Sequence, residues 1–293
     1  MVDPGVVEGN TSLWLSRGGR PTVRAGHVPT HVVSIVFASD IEEWRRGWHH
    51  ETPTREAVVS VGDPTRGATT AGTTQLVPRQ DLAYSVLGTP IDIDRILETV
   101  SQYFSGATGT NPTVIVDDLV PVLDEFGPPT LRHFVESLST AARDVGGNSV
   151  FGCSVTPALV RAVDELTPVL DEVGGVETDA IEAVNRLRRE DPTTFGYTRR
   201  YWPEARRGIE ACTRNYPQSK QIHAALDDPE TTPRTLGATL SGLVDLGVLG
   251  TWGDTVGSTR YDLTAYDPIE GAYVGFALEE SGSKVSFRRV QDR

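Results

Sequence analysis

Through the first 178 residues, short apolar runs alternate with stretches of helical periodicity. Ser12 to Leu15 reads as a strand closed by Gly18-Gly19, and His31 to Phe37 as a β-branched strand. Asp40 then caps a helix from Ile41 to Trp48. Ala57 to Val61 is a third strand, ended by Gly62-Asp63-Pro64, and the Gly- and Thr-rich span 64–74 is a loop. Ile93, Ile96, Leu97, Val100 and Phe104 recur at helical spacing, as do Leu131, Phe134, Val135, Leu138 and Val145. Thr113 to Val116, Val150 to Val155 and Val173 to Val176 suit further strands, with a helix predicted over Leu159, Val163, Leu166 and Leu170. Strands alternating with helices predict an α/β fold, a mostly parallel sheet with flanking helices and right-handed crossovers.

The pattern changes in the second half. Ile181, Val184 and Leu187 mark a linker helix, placed with its approach at 179–198. Pro203 is expected in the first turn of a helix carrying Ala205, Ile209 and Cys212. A second helix runs from Gln218 to Leu226, stopped by Asp227-Asp228-Pro229. Thr231 or Thr232 caps a third, with Pro233 at its start and Leu236, Leu240, Leu243, Val244 and Leu246 as its apolar stripe. Gly247 is its stop. Val248 to Trp252 and Thr259 to Leu263 then form an antiparallel pair around the loop Gly253 to Gly257. Beyond 267, Ala272 to Leu278 and Lys284 to Val290 are read as a C-terminal β-hairpin occupying 268–293.

Composition narrows the function classes. The 293 residues carry a net charge of −13, and 25 of the 27 cations are arginine, since only Lys220 and Lys284 are lysines. Such an acidic, lysine-poor surface resembles the proteins of salt-in halophiles, which use net charge for solubility. Molar salt screens charge within ~3 Å, so the absence of a basic patch does not exclude nucleic-acid partners. No apolar run approaches the ~20 residues of a membrane span, and Met1-Val2-Asp3-Pro4 begins no secretory leader. A cytoplasmic protein without membrane contact is expected. Cys153 and Cys212 make neither a disulfide framework nor a four-ligand zinc site. The six histidines show no ligand spacing, and no hydrolase, zinc or dinucleotide-binding motif appears. The five tryptophans are expected to pack cores and interfaces. No metal, cofactor or catalytic residue is assigned.

The most suggestive chemistry is Thr113-Val114-Ile115-Val116-Asp117-Asp118, an apolar strand ending in two carboxylates. It resembles the Walker B strand of P-loop NTPases, whose Asp holds Mg²⁺. Such a site needs Gly-x4-Gly-Lys-[Ser/Thr] after the first strand, because its backbone N–H groups and lysine cradle the phosphates. The stretch Ser16-Arg17-Gly18-Gly19-Arg20-Pro21 has neither the lysine nor the hydroxyl residue, and Arg20 is a poor substitute for a point charge. ATP hydrolysis is therefore not expected, and the two aspartates are open to a purely structural role at the strand end.

Together with Asp81-Leu82, Pro90-Ile91-Asp92-Ile93-Asp94, Phe134-Val135-Glu136-Ser137-Leu138 and Leu170-Asp171-Glu172-Val173-Gly174-Gly175-Val176, this strand makes residues 10–178 resemble a RecA/KaiC-type domain. The resemblance is to degenerate haloarchaeal members that have lost the phosphate loop. It implies a RecA-like domain over 1–178 with a relict nucleotide site at Gly18, Gly19, Arg20, Asp117 and Asp118, and no activity.

Residues 199–267 resemble a winged helix-turn-helix, through Thr232-Pro233-Arg234-Thr235-Leu236-Gly237, Leu243 to Leu249 and Gly257-Ser258-Thr259-Arg260-Tyr261-Asp262-Leu263-Thr264. The resemblance implies a third helix in the major groove, with Thr232, Arg234, Thr235, Ala238 and Thr239 facing it and the wing contacts at Thr259 and Arg260. Arg234 would read guanine and the threonines phosphate. Between Arg199 and Tyr261, eight Arg/Lys stand against seven Asp/Glu, a net +1 that leaves −14 for the rest. Two function classes follow. One is a non-catalytic regulator or factor that binds double-stranded DNA, alone or as a homodimer. The alternative is an inactive RecA-like adaptor docking on a partner RecA-type ATPase of a repair or replication assembly.

Overall fold

The computed structural model describes residues 9–17, 30–37, 44, 53–62, 75–77, 82–105, 111–253, 258–281 and 286–288. The expected helix over 41–48 lies outside them apart from Trp44, as does the loop 254–257. The chain divides into two compact units. One comprises Met1–Val155, Glu165–Gly175 and Val285–Arg288; the other comprises Thr156–Asp164, Val176–Lys284 and Arg289–Arg293.

The first unit holds strands β1 (Thr11–Ser16), β2 (His31–Val36), β3 (Arg55–Val61), β4 (Gln75–Val77), β5 (Leu82–Leu87), β6 (Thr113–Val116), β7 (Asn148–Ser154) and β8 (Glu172–Gly174). Two further strands, β9 (Gly250–Thr251) and β10 (Tyr261–Asp262), belong to the second unit, and β11 (Ser286–Arg288) returns to the first. The sheet has nine strands in the order β11-β8-β1-β7-β6-β2-β3-β5-β4. All pairings are parallel except β4 on β5. The chain thus leaves β1, skips two places to β2, runs outward through β3 and β5, then returns to insert β6 and β7. This is an α/β fold, a mostly parallel sheet flanked by helices.

Central strands of such a sheet are covered on both faces, so they read as unbroken apolar runs. All four residues of β6 are buried, and in β2 only His31 is not. The flanking helices are α1 (Ile93–Ser105), α2 (Val120–Phe126) and α3 (Pro128–Asp144). The first buries Ile96, Val100 and Phe104; the third buries Leu131, Phe134, Val135 and Leu138. The antiparallel β4, the strand β5 and the helix α2 were not predicted.

Three expectations are corrected. The predicted helix over Leu159–Leu170 is a 3-10 turn (Leu159–Arg161), a four-residue helix α4 (Val163–Leu166) and a second 3-10 turn (Thr167–Val169). Pro168, which has no N–H to donate, ends the pattern. Pro203 does not open a helix. After α5 (Thr178–Glu190), helix α6 runs unbroken over Pro192–Ala211 with Pro203 inside it, so the expected border at 198/199 falls mid-helix. Its true start is Asp191-Pro192, where the Asp191 carboxylate accepts from Thr193 N at 3.1 Å and Thr194 N at 2.9 Å. Finally, Ala272–Leu278 is no hairpin arm. It lies within helix α9 (Pro268–Glu280), capped by Asp267, whose Oδ1 accepts from Ile269 N at 2.9 Å. All seven residues of that run are buried or nearly so, and an apolar run without periodicity fits a buried helix as well as a strand.

The second unit also contains α7 (Ser219–His223) and α8 (Pro233–Asp245). No helix of the described residues is long and apolar enough to cross a membrane. Gly242 is buried where α8 meets α6, and a Cβ there would fall on the Thr198 hydroxyl. Gly242→Ala is expected to lower stability by about 1–3 kcal/mol by overpacking this crossing. Urea denaturation checks it: the midpoint should fall, and an unchanged midpoint would mean the two helices separate freely.

Candidate nucleic-acid interface and the acidic strand end

Asp117 and Asp118 follow β6 directly and are buried, at 4% and 9% exposure. A buried carboxylate needs donors, and both have them. Asp117 Oδ1 accepts from Phe37 N and from Asp118 N, each at 2.8 Å, which ties the end of β6 to the end of β2. Asp118 Oδ1 accepts from Val120 N and Ser154 N at 3.0 Å, while the Ser154 hydroxyl donates to Oδ2 at 2.7 Å. One carboxylate thus caps the turn into α2, and the same group holds the end of β7. Ser16 O, at the end of β1, accepts from Val155 N at 2.9 Å, so the ends of β1, β7 and β6 share one edge of the sheet. Cys153, beside them, is fully buried; desolvation, reinforced by Asp118 and Asp124, pushes its thiol well above the ordinary range. Such burial disfavours the thiolate that nucleophilic attack requires. Gly18, Gly19 and Arg20, the other members of the expected relict site, lie outside the described residues.

The second candidate surface is built around α8. Thr232 is its N-cap, with Oγ1 accepting from Thr235 N at 3.2 Å, and Pro233 fills the first helical position. The turn before it is fixed by the buried Glu204 of α6. Its carboxylate accepts from Glu230 N at 3.0 Å, Thr231 N at 3.2 Å and the Thr231 hydroxyl at 2.6 Å. His223 Nε2 meets Thr231 O at 2.7 Å. Leu236, Leu240 and Leu243 are buried, as the stripe predicted. Gly247, at φ +77°, stops the helix in the left-handed region that glycine alone enters cheaply.

Antiparallel backbone lies against this helix. Tyr261 pairs with Thr251 and Asp262 with Gly250. On the other side of β10, Gln218 bridges Arg260, Tyr261 N donates to Pro217 O at 2.9 Å, and Leu263 N donates to Asn215 O at 2.9 Å. The segment 215–218 is therefore a third member of the ladder, which the sequence reading missed. Tyr261 points inward and is 3% exposed; its hydroxyl donates to Gly237 O at 3.0 Å, and burial pushes its phenol up.

Of the seven residues expected to face DNA, Thr232, Arg234, Thr259 and Arg260 are exposed, and Thr235 and Ala238 are half-buried. Thr239 is a correction. It is fully buried, with its hydroxyl donating to Tyr197 O at 3.4 Å and Thr235 O at 3.2 Å, because the face of α8 turned to α6 is wider than the leucine stripe. Trp252, expected in a core or an interface, is 50% exposed and so lies in no core.

Residues 24–174 match a family described only as a family of unknown function, DUF7504. The chain belongs to that family. The DUF7504 segment ends with β8, so α8 and the ladder lie beyond it. No protein of curated function matches the chain. Among solved structures, a KaiC-like protein from the hyperthermophilic archaeon Pyrococcus horikoshii is similar at 12% identity and a TM-score of 0.32. The match covers 50% of this DUF7504 chain and 63% of that protein, less than two thirds of its length. Drosophila ORC bound to AT-rich DNA and Cdc6 is similar at 10% identity and a TM-score of 0.22, over 86% of each chain.

Removing the Asp118 carboxylate should leave Val120 N, Ser154 N and the Ser154 hydroxyl without their acceptor. Asp118→Ala is expected to cost about 2 kcal/mol or more, and Asp118→Asn less, since an amide oxygen still accepts from both N–H groups. Thermal melts of the two variants check the order; a neutral Asp118→Ala would remove the stitching role.

Proposed function

We propose that the protein is a non-catalytic DNA-binding factor, of the transcription-regulator kind, whose second unit is a winged helix. The observation that carries this reading is the three-segment ladder of 215–218, β10 and β9, packed through Tyr261 onto a capped α8 whose first turn leaves Arg234 exposed. Helix, strand, helix, helix and a two-strand ribbon follow in the order such a module needs, and its third helix is the one that enters the major groove. Arg234 is a cation with a free fork for a guanine edge or phosphate. Thr232 and Thr235 are partly committed to each other, their hydroxyls 3.0 Å apart, so Arg234 carries most of the helix's recognition chemistry. Arg260 is the wing's contribution.

No reaction is assigned to the first unit. Both aspartates at its strand end serve backbone donors, and the stretch after β1 lacks the lysine and hydroxyl of a phosphate loop. Equilibrium dialysis with Mg·ATP is expected to give no binding, and measurable retention would restore a nucleotide role.

Duplex binding is tested by mobility shift across a KCl series extending to molar salt. Arg234→Ala is expected to weaken binding by about 1–3 kcal/mol, and wild-type affinity should fall as salt rises. Equal binding by variant and wild type would overturn the reading. The half-burial of Thr235 and Ala238 and the burial of Thr239 narrow the groove-facing surface, which favours a second reading as an adaptor. Co-purification with a RecA-type ATPase without DNA retention is its signature.

A further inference from the structure

The outer side of the ladder carries an aromatic pair that the duplex-binding reading does not use. Tyr216 and Trp252 stack with ring centroids 4.1 Å apart and planes 30° from parallel. They come from the two outer segments, with β10 between them, where Gln218 bridges Arg260 and Trp252 N donates to Arg260 O at 2.9 Å. Trp252 stays 50% exposed although Tyr216 covers one of its faces, so the two-ring stack is open at its tryptophan end. Arg260 is exposed too, and its Nη1 donates to Tyr216 O at 3.1 Å, which holds the guanidinium beside the pair. Exposed Arg214 and Lys220 flank the same segment. The nearest described acid in the ladder, Asp262, already accepts from Thr264 N at 2.9 Å and the Thr264 hydroxyl at 2.6 Å. Arg260 thus stands beside an exposed aromatic pair, with Arg214 and Lys220 close to it in sequence.

We propose that Tyr216, Trp252 and Arg260 form a platform for single-stranded DNA, on which an unpaired base continues the stack over Trp252 while Arg260 meets the adjoining phosphate. Every base has a π-face, so such a platform is tolerant of sequence, and cations beside aromatic rings are the combination that single strands require. The inference rests on reading the second unit as a DNA-binding module and adds a second substrate form to it. The unpaired base would lie on the ladder, away from the groove-facing turn of α8.

The test uses the full chain with a labelled thymidine oligonucleotide and a blunt duplex, binding each by fluorescence anisotropy. Trp252→Ala is expected to weaken single-strand binding about tenfold while duplex affinity and melting temperature stay at wild-type values, and Trp252→Phe should recover most of the loss. An oligonucleotide carrying 2-aminopurine should be quenched on binding the wild-type protein, a stacking signal that needs no variant. Unchanged single-strand binding by Trp252→Ala overturns the platform, as does a parallel fall in single-strand binding, duplex binding and melting temperature, which would make the stack a prop for the ladder. Duplex binding that depends on Arg234, with no quench of 2-aminopurine, sinks the platform alone. Quenching and Trp252-dependent single-strand binding without duplex binding sinks the recognition-helix reading and leaves the platform standing.

Discussion

Two carboxylates cannot lie buried at the end of an apolar strand without donors to meet them, and the first unit is organised around that constraint. The donors come from two neighbouring strand ends and one helix start: Phe37 after β2, Ser154 closing β7, and Val120 at the head of α2. A strand pair in a parallel sheet is slightly less stable per residue than an antiparallel one, and its ends have no hairpin to fix them. Asp117 and Asp118 supply that fixation from the side-chain level. Here the pair serves the backbone. The acidic strand end is thus a structural part of the sheet.

The second unit is built on the same logic at a smaller scale. Glu204 is buried at 3% exposure and gives its oxygens to the turn that launches α8. The helix then starts at a fixed residue, with Thr232 as cap, and Arg234 stands in its first turn at a fixed angle. Tyr261 locks the ladder to α8 from the other side through Gly237 O. The placement of Arg234 depends in this way on a glutamate and a tyrosine that are both buried.

Most of the first unit was legible because buried parallel strands announce themselves. His-Val-Val-Ser-Ile-Val and Thr-Val-Ile-Val leave little choice, and the periodicities of α1 and α3 are clean. The failures have specific causes. Ala272–Leu278 has no period to read, although Asp267-Pro268 just ahead of it is a cap and first-turn signal that favoured a helix. Pro203 suits a helix start because proline so often is one, while Asp191-Pro192, eleven residues earlier, holds the better cap. In the candidate interface, the exposed Thr232 and Arg234 were legible as positions off the apolar stripe, and Thr259 and Arg260 through the resemblance to a wing. Thr239 was not, since its burial depends on how α8 crosses α6. The segment 215–218 and the stack of Tyr216 on Trp252 could not be read locally at all, because they join residues 36 positions apart through a ladder whose middle strand comes later still.

The strand β11 follows residues 176–284 of the second unit yet lies in register with Glu172–Gly174 on the outer side of β8. Residues 176–284 are therefore spliced into the first unit rather than appended to it. During synthesis, which delivers the chain from its N-terminus, β8 must wait with an unsatisfied flank while more than a hundred further residues emerge. Such a flank is a template for stray pairing. The large sheet thereby gains its last strand only once residue 288 has been made, and a chain released before that point would carry an open seam.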